Sequence, residues 1–230
     1  MFKFRDAKMN KLLLSLLLLA VSLSVNAETV KLKFVSVDKV ISTKTKITGS
    51  SISGRNVAMG SYNFDIKNQG VFSGFCVDPY QWANGNYKDY TKSALDASDF
   101  NNNGVTRFAN AQKLFDNAYS SVSTAVQAAG FHLALWEIFH DNLNVNTGNI
   151  KGIHGTNQNM LSIASTFLNQ LAGWSITDKY SIDFYKNSHY QDYVIATLNP
   201  PSQVPLPAAL PMLISGLIGL GFVRRRKTNI

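Results

Sequence analysis

Thr124-Ala125-Val126-Gln127-Ala128-Ala129-Gly130-Phe131-His132-Leu133-Ala134-Leu135-Trp136-Glu137-Ile138-Phe139 is the stretch on which the reading of this chain turns. Thr124 with Gln127 three places later makes a capping box, in which hydroxyl and amide satisfy the orphan amides of a starting helix. The helix should run to about Asp141. It is apolar nearly all round, which argues burial. A helix buried on every side needs covering elements before and after it.

Both flanks supply them. Val30-Lys31-Leu32-Lys33-Phe34-Val35-Ser36-Val37 alternates apolar with polar over most of its length, as a half-buried strand does. Ile41 to Ser51 alternates in part. Tyr62-Asn63-Phe64-Asp65-Ile66 lies between Gly60 and the turn Asn68-Gln69-Gly70, and Phe72 to Asp78 runs into a turn at Pro79. Arg107 to Tyr119 places Phe108, Ala111, Phe115 and Ala118 at helical spacing. After the buried helix, 142–157 is a loop rich in Asn and Gly, and Gln158 to Leu171 is an amphipathic helix ended by Gly173. Tyr180 to Tyr185 and Tyr193 to Leu198 return to strands. Strands, helices, then strands predict one α+β domain over 28–199, with first and last strands in one sheet. Residues 200–203, with Pro200 and Pro201, form a stiff linker.

The two ends carry most of the net charge. Met1 to Ala27 reads as a secretory signal peptide: Lys3, Arg5, Lys8 and Lys11 precede an apolar run from Leu12 to Val25, and Ala27 closes a small-residue cleavage site. Met9 is an alternative start. At the other end, 18 apolar or small residues (Leu206 to Val223) precede Arg224, Arg225, Arg226 and Lys227. That run is at the short end of a membrane span. Each terminal charge costs about 2.5–3.5 kcal/mol at the bilayer centre, so the Arg cluster stays on the side of synthesis. The whole chain has 22 basic and 14 acidic side chains. Removing four bases and one acid from 1–27, and four bases from 204–230, leaves 14 basic against 13 acidic, a net of +1. The high pI therefore belongs to the ends and gives no argument for nucleic-acid binding. The body has one cysteine, Cys76, so no intramolecular disulfide is possible and the domain must rely on its core.

The order at the C-terminus resembles the PEP-CTERM sorting signal of Gram-negative bacteria: Pro205-Leu206-Pro207, an apolar span, then Arg224 to Arg226. The family's Pro-Glu-Pro stands here as Pro-Leu-Pro, a departure from the name-giving motif. The resemblance covers 204–227. It implies the Sec translocon and signal peptidase as partners. It also implies transient anchoring in the inner membrane by a helix over 206–223, with the body in the periplasm. An exosortase, a membrane-embedded cysteine protease, would then cut near the Pro motif and release the protein to the cell surface or an exopolysaccharide matrix.

Two stretches in the body carry the candidate chemistry, Gly74-Phe75-Cys76-Val77-Asp78 and Phe131 to Ile138. Together they resemble the thioester-domain pattern of bacterial surface adhesins and the related bodies of many PEP-CTERM proteins. In that pattern a strand-end cysteine meets a helix of the form Gln-x-Ala-aliphatic-Trp-Glu. Arg107 to Ser121 and Gln191 to Val194 look like the same group, so the resemblance spans most of 62–198. In that family the sulfur is joined to the Gln carbonyl with loss of ammonia, giving an electrophile that acylates amines. Here His132 stands four residues before Trp136, where the family has Gln. An imidazole has no carboxamide carbon, so the family's thioester cannot form, and the site is degenerate at Cys76 and His132.

Two readings of Cys76 remain: a nucleophile with His132 as base, or a buried small apolar side chain. His132 and His140 share a helical face with His154 in the next loop, but no compact ligand motif exists, and no metal or cofactor is expected. Glu137 and Asp141 read as a solvated helix edge or a loop contact. Trp136 reads as core. Tyr80, Trp82, Tyr87 and Tyr90 are candidates for exposed sugar stacking, or form a structural loop. The expected function is a non-enzymatic exported surface or matrix protein, adhesive or associated with exopolysaccharide and biofilm. The alternatives are an acyl-transfer or hydrolytic enzyme using Cys76 and His132, and a permanently anchored periplasmic protein.

Overall fold

A computed structural model describes residues 27–100 and 102–200. The expected signal peptide through residue 26, the linker from 201 and the sorting tail lie outside the described residues. Among the described residues no helix is long and apolar enough to cross a membrane.

Strand β1 (Glu28–Lys44) opens the domain, followed by a two-residue β2 (Lys46–Ile47), β3 (Asn56–Ile66), β4 (Gly70–Cys76) and β5 (Lys88–Ala94). Three helices follow: α1 (Gly104–Ala118), α2 (Ala125–His140) and, after the short β6 (Ile150–Lys151), α3 (Gln158–Gln170). Strands β7 (Tyr180–Lys186) and β8 (Tyr193–Leu198) complete the compact unit, which ends at Leu198. The architecture is α+β. Its six long strands close into a barrel in the order β1-β3-β4-β8-β7-β5, and every pairing is antiparallel. The first and last strands thus share one sheet, and closure leaves that sheet no free edge.

The alternation in β1 works as expected at its start: Val30 and Leu32 are buried, and Lys31 between them is exposed. Further on, the β1–β3 register shifts between Val37/Tyr62 and Val40/Gly60, so Asp38 and Lys39 face the single residue Ser61. This bulge holds itself by side chains: Ser61 Oγ accepts from the Lys39 amide and donates to Asp38. Gly60 is required opposite it. Its φ is +143°, and a Cβ there would fall 1.8 Å from the Lys39 carbonyl oxygen.

Helix α2 is capped as its sequence says. Thr124 Oγ1 accepts from the Gln127 amide at 3.3 Å, and Gln127 Oε1 accepts from the Thr124 amide at 3.1 Å. Every residue from Ala128 to Phe139 is buried. The helix packs on β1, β3, α1 and α3. A Cβ at Gly130 would come 2.5 Å from Ile163 of α3, so Gly130 sets how closely those two helices approach. Phe131, Leu133, Leu135 and Ile138 are wholly removed from water, each contributing about 1.5–3 kcal/mol of burial energy.

Two features differ from the sequence reading. Lys88–Ala94 is a strand, not a loop, and Tyr90 on it is buried at 1% exposure, which removes it from the sugar-stacking candidates. Asp116 of α1 is a buried hub: its carboxylate accepts from the amides of Thr177, Asp178 and Tyr180 and from Gln112 Nε2. It fixes where the chain leaves the helices and enters β7.

Candidate functional site

Helix α2 lays one face along the end of β4. His132, Trp136 and His140 stand at i, i+4 and i+8 and therefore share that face. Trp136 Nε1 donates to the Cys76 carbonyl at 3.1 Å. His140 Nε2 meets the Val77 carbonyl, and because a carbonyl only accepts, this nitrogen carries the proton. The imidazole of His132 lies edge-on to the Trp136 indole, centroids 4.6 Å apart. The shared face of the two histidines serves to grip backbone. Among the described residues no group of three or more His, Cys, Asp or Glu comes together to hold a metal ion.

His132 is fully buried, and its bonding fixes its tautomer. The Gly60 amide, turned inward by the bulge, donates to Nδ1 at 3.1 Å. Nδ1 is then unprotonated, and the neutral ring carries its proton on Nε2. Nε2 lies towards the Cys76 carbonyl but makes no hydrogen bond of good geometry. Burial pushes the His132 pKa down to about 3. Cys76 is 1% exposed, and its Sγ donates to the Asp78 carbonyl at 3.4 Å. Burial, foremost, holds its pKa well above the ordinary thiol value. Cys76 and His132 are therefore brought to the same strand end, yet each bonds elsewhere and both are uncharged. An imidazole whose Nδ1 already accepts and whose Nε2 is protonated has no free lone pair to take the thiol proton.

Glu137 and Asp141 do not form a solvated edge. Glu137 is buried; Oε2 accepts from the Asn144 amide at 3.0 Å, while Oε1 has no partner. Burial raises its pKa to about 8. Asp141 Oδ2 accepts from the Ile150 amide at 2.6 Å. Arg107 closes the helix from the other side, donating to the carbonyls of Ile138 and Asp141. These groups tie the loop after α2 to its end. Of the two readings of Glu137 and Asp141 the loop contact holds, with main-chain amides as the partners.

On the far side of Trp136 lies a groove of about 430 Å³. Among the aromatic candidates, Tyr80 meets His140 edge-on and Tyr87 donates to Asp65 at 2.6 Å. Trp82, 59% exposed, lines the groove. Two of its other residues were missed at the level of sequence: Gln81 presents a buried oxygen without a partner, and Tyr193 a buried hydroxyl that lies towards Tyr90 without a bond of good geometry.

No protein-family model matches the chain, nor does any curated protein sequence. Among solved structures, the chain is similar to the N-terminal thioester domain of a surface protein from Clostridium perfringens. That likeness has a TM-score of 0.44 at 11% identity, over 75% of this chain and 100% of the other. It is similar to the pilus-presented adhesin Spy0125 (Cpa), with a TM-score of 0.47 at 16% identity, over 76% of this chain and 68% of that one. The N-terminal domain of the Streptococcus pyogenes pilus tip adhesin Cpa is similar too, with a TM-score of 0.46 at 10% identity, over 77% and 100%.

Proposed function

We propose that this is a non-enzymatic exported protein of the cell surface or extracellular matrix, whose thioester-domain-like body forms no thioester. The observation that carries the reading is the separate engagement of Cys76 and His132: the thiol bonds to Asp78 and the imidazole to Gly60, both buried and neutral. His132 leaves helix α2 with no carboxamide to offer the thiol, and the carboxamide of Gln191, which donates to the same Asp78 carbonyl as the thiol, is engaged there through its own Nε2. Without a free imidazole lone pair there is no activated thiol. The same observation weighs against the rival enzyme. Export rests on the sequence of the two ends: a Sec signal cut after Ala27, and the PEP-CTERM-like tail with Pro205-Leu206-Pro207 and Arg224 to Arg226. An exosortase would process the tail, with release towards exopolysaccharide.

Fractionation with mass spectrometry of the mature termini tests the export reading. A start at Glu28 and an end near Pro205-Leu206-Pro207, in the surface or medium fraction, is expected. A retained tail in the inner membrane would favour the permanently anchored alternative. Replacing Cys76 by Ala should leave surface delivery and any surface phenotype intact, whereas an enzyme would lose its activity.

A further inference from the structure

The groove beyond Trp136 has the features of a ligand site independent of Cys76 and His132. Its volume of about 430 Å³ lies within the range of small-ligand clefts. Phe34 of β1 and Tyr62 of β3 form part of one wall, Trp82 contributes from the loop after β4, and Tyr193 of β8 lies deeper. Most polar groups nearby are already committed. Tyr62 Oη donates to the Ala58 carbonyl, Trp136 Nε1 to Cys76, and Gln191 Nε2 to Asp78. Gln81 Oε1 is not. Tyr193 Oη, on a side chain 1% exposed, lies towards the Tyr90 hydroxyl without a bond of good geometry, and Tyr90 itself donates to the Gln191 carbonyl at 3.3 Å. Buried polar atoms ordinarily find partners, and an orphan beside a cavity points to what the cavity takes. Among the described lining residues Arg55 alone is charged, and it is exposed at the rim.

We propose that this groove binds a neutral sugar unit of a polysaccharide, stacked on Trp82 and hydrogen-bonded by Gln81 and Tyr193. A sugar ring offers a C–H face to an indole and hydroxyls that both donate and accept. Those hydroxyls suit an amide oxygen, which only accepts, and a phenol, which does either. A purely apolar ligand would leave Gln81 Oε1 unpaired. A strongly anionic ligand would find one exposed cation.

The test uses the purified full-length protein with two neutral probes, an N-acetylglucosamine trimer and a β-linked glucose trimer. Binding is read by tryptophan fluorescence and calorimetry. At least one trimer should bind, and Trp82→Ala and Gln81→Leu should each weaken it about tenfold, the loss of one stacking or hydrogen-bonding contact. Trp174→Phe, away from the groove, should not change the affinity. Far-ultraviolet dichroism checks that the variants are folded. The proposal is overturned if neither trimer binds at millimolar concentration, if both groove variants bind as the wild type does, or if a fatty-acid probe binds and the sugars do not. Such failure would leave the reading of Cys76 and His132 untouched, since that rests on the bonding of other atoms.

Discussion

Two regions of opposite character meet at Trp136, which packs on His132 and lines the groove. On one side, Cys76 and His132 are buried, neutral and held by main-chain partners. On the other, the groove lined by Trp82 and Gln81 opens to solvent and keeps the Gln81 oxygen unpaired. The first region has the residue that chemistry would need and no freedom to use it. The second has no nucleophile but has room and unmet hydrogen bonds. A cysteine beside a histidine is therefore a poor guide to function until the lone pairs are assigned.

The contrast is sharpest in stability. His132→Ala should cost about 3 kcal/mol, because it leaves a cavity among aromatic rings and strands the Gly60 amide. Trp82→Ala should change stability by no more than about 0.5 kcal/mol, as exposed positions do. Urea unfolding of the two variants reads both. Equal costs would break the distinction between a structural and a solvent-facing region.

Acid titration separates the regions next. His132 has its pKa lowered from 6.5 to about 3, so the folded state stays neutral where the unfolded state takes a proton. The stability it confers is complete above pH 6.5 and is lost as pH falls from there towards 3, by about 1.4 kcal/mol per unit. His140 is lowered too, by burial, and adds in the same direction. Unfolding measured across this window should show a shallower acid limb for His132→Leu and an unaltered one for Trp82→Ala. Glu137 has the opposite sign. Its pKa is raised from 4.5 to about 8, so its contribution is full below 4.5 and gone once pH has risen past about 8. Glu137→Gln keeps an acceptor for Asn144 and should remove this decline between pH 4.5 and about 8; an unchanged decline would mean the carboxyl is ionised throughout.

How much of this was legible in the sequence depended on whether a residue's partners were side chains in a pattern or main-chain groups far away. The α2 helix was readable because its capping box is local and its burial shows as uninterrupted apolar composition. Strand β5 was not. In Lys88–Ala94 Tyr90 is the one buried residue, too little for a period of two to emerge, and the surrounding aromatics suggested a loop. The departure at His132 could be read from its place before Trp136. Its tautomer could not, because that depends on the Gly60 amide 72 residues earlier, turned inward by a bulge with no sequence signature. Asp116 was invisible for the same reason: three of its partners are amides 61 to 64 residues away. Gln81 announces itself only by the buried oxygen that lacks a partner.

The smallest expected effect comes from placing a Gln at position 132, as in the pattern this stretch resembles. His132→Gln supplies the missing carboxamide, but the thiol points to the Asp78 carbonyl, so most molecules should keep an unreacted Cys and Gln at full mass. A substantial fraction lighter by one ammonia would show that the strand end still holds sulfur and carboxamide within bonding reach.

The wild-type protein offers the most direct measurement. Intact mass spectrometry of the protein as isolated, before and after incubation with methylamine, reads the state of Cys76 itself. The mass should equal the calculated value with a thiol that titrates only after unfolding, and methylamine should add nothing. A protein already lighter by one ammonia through a link at Cys76, and gaining one methylamine, would contradict the account and make the body a covalent adhesin.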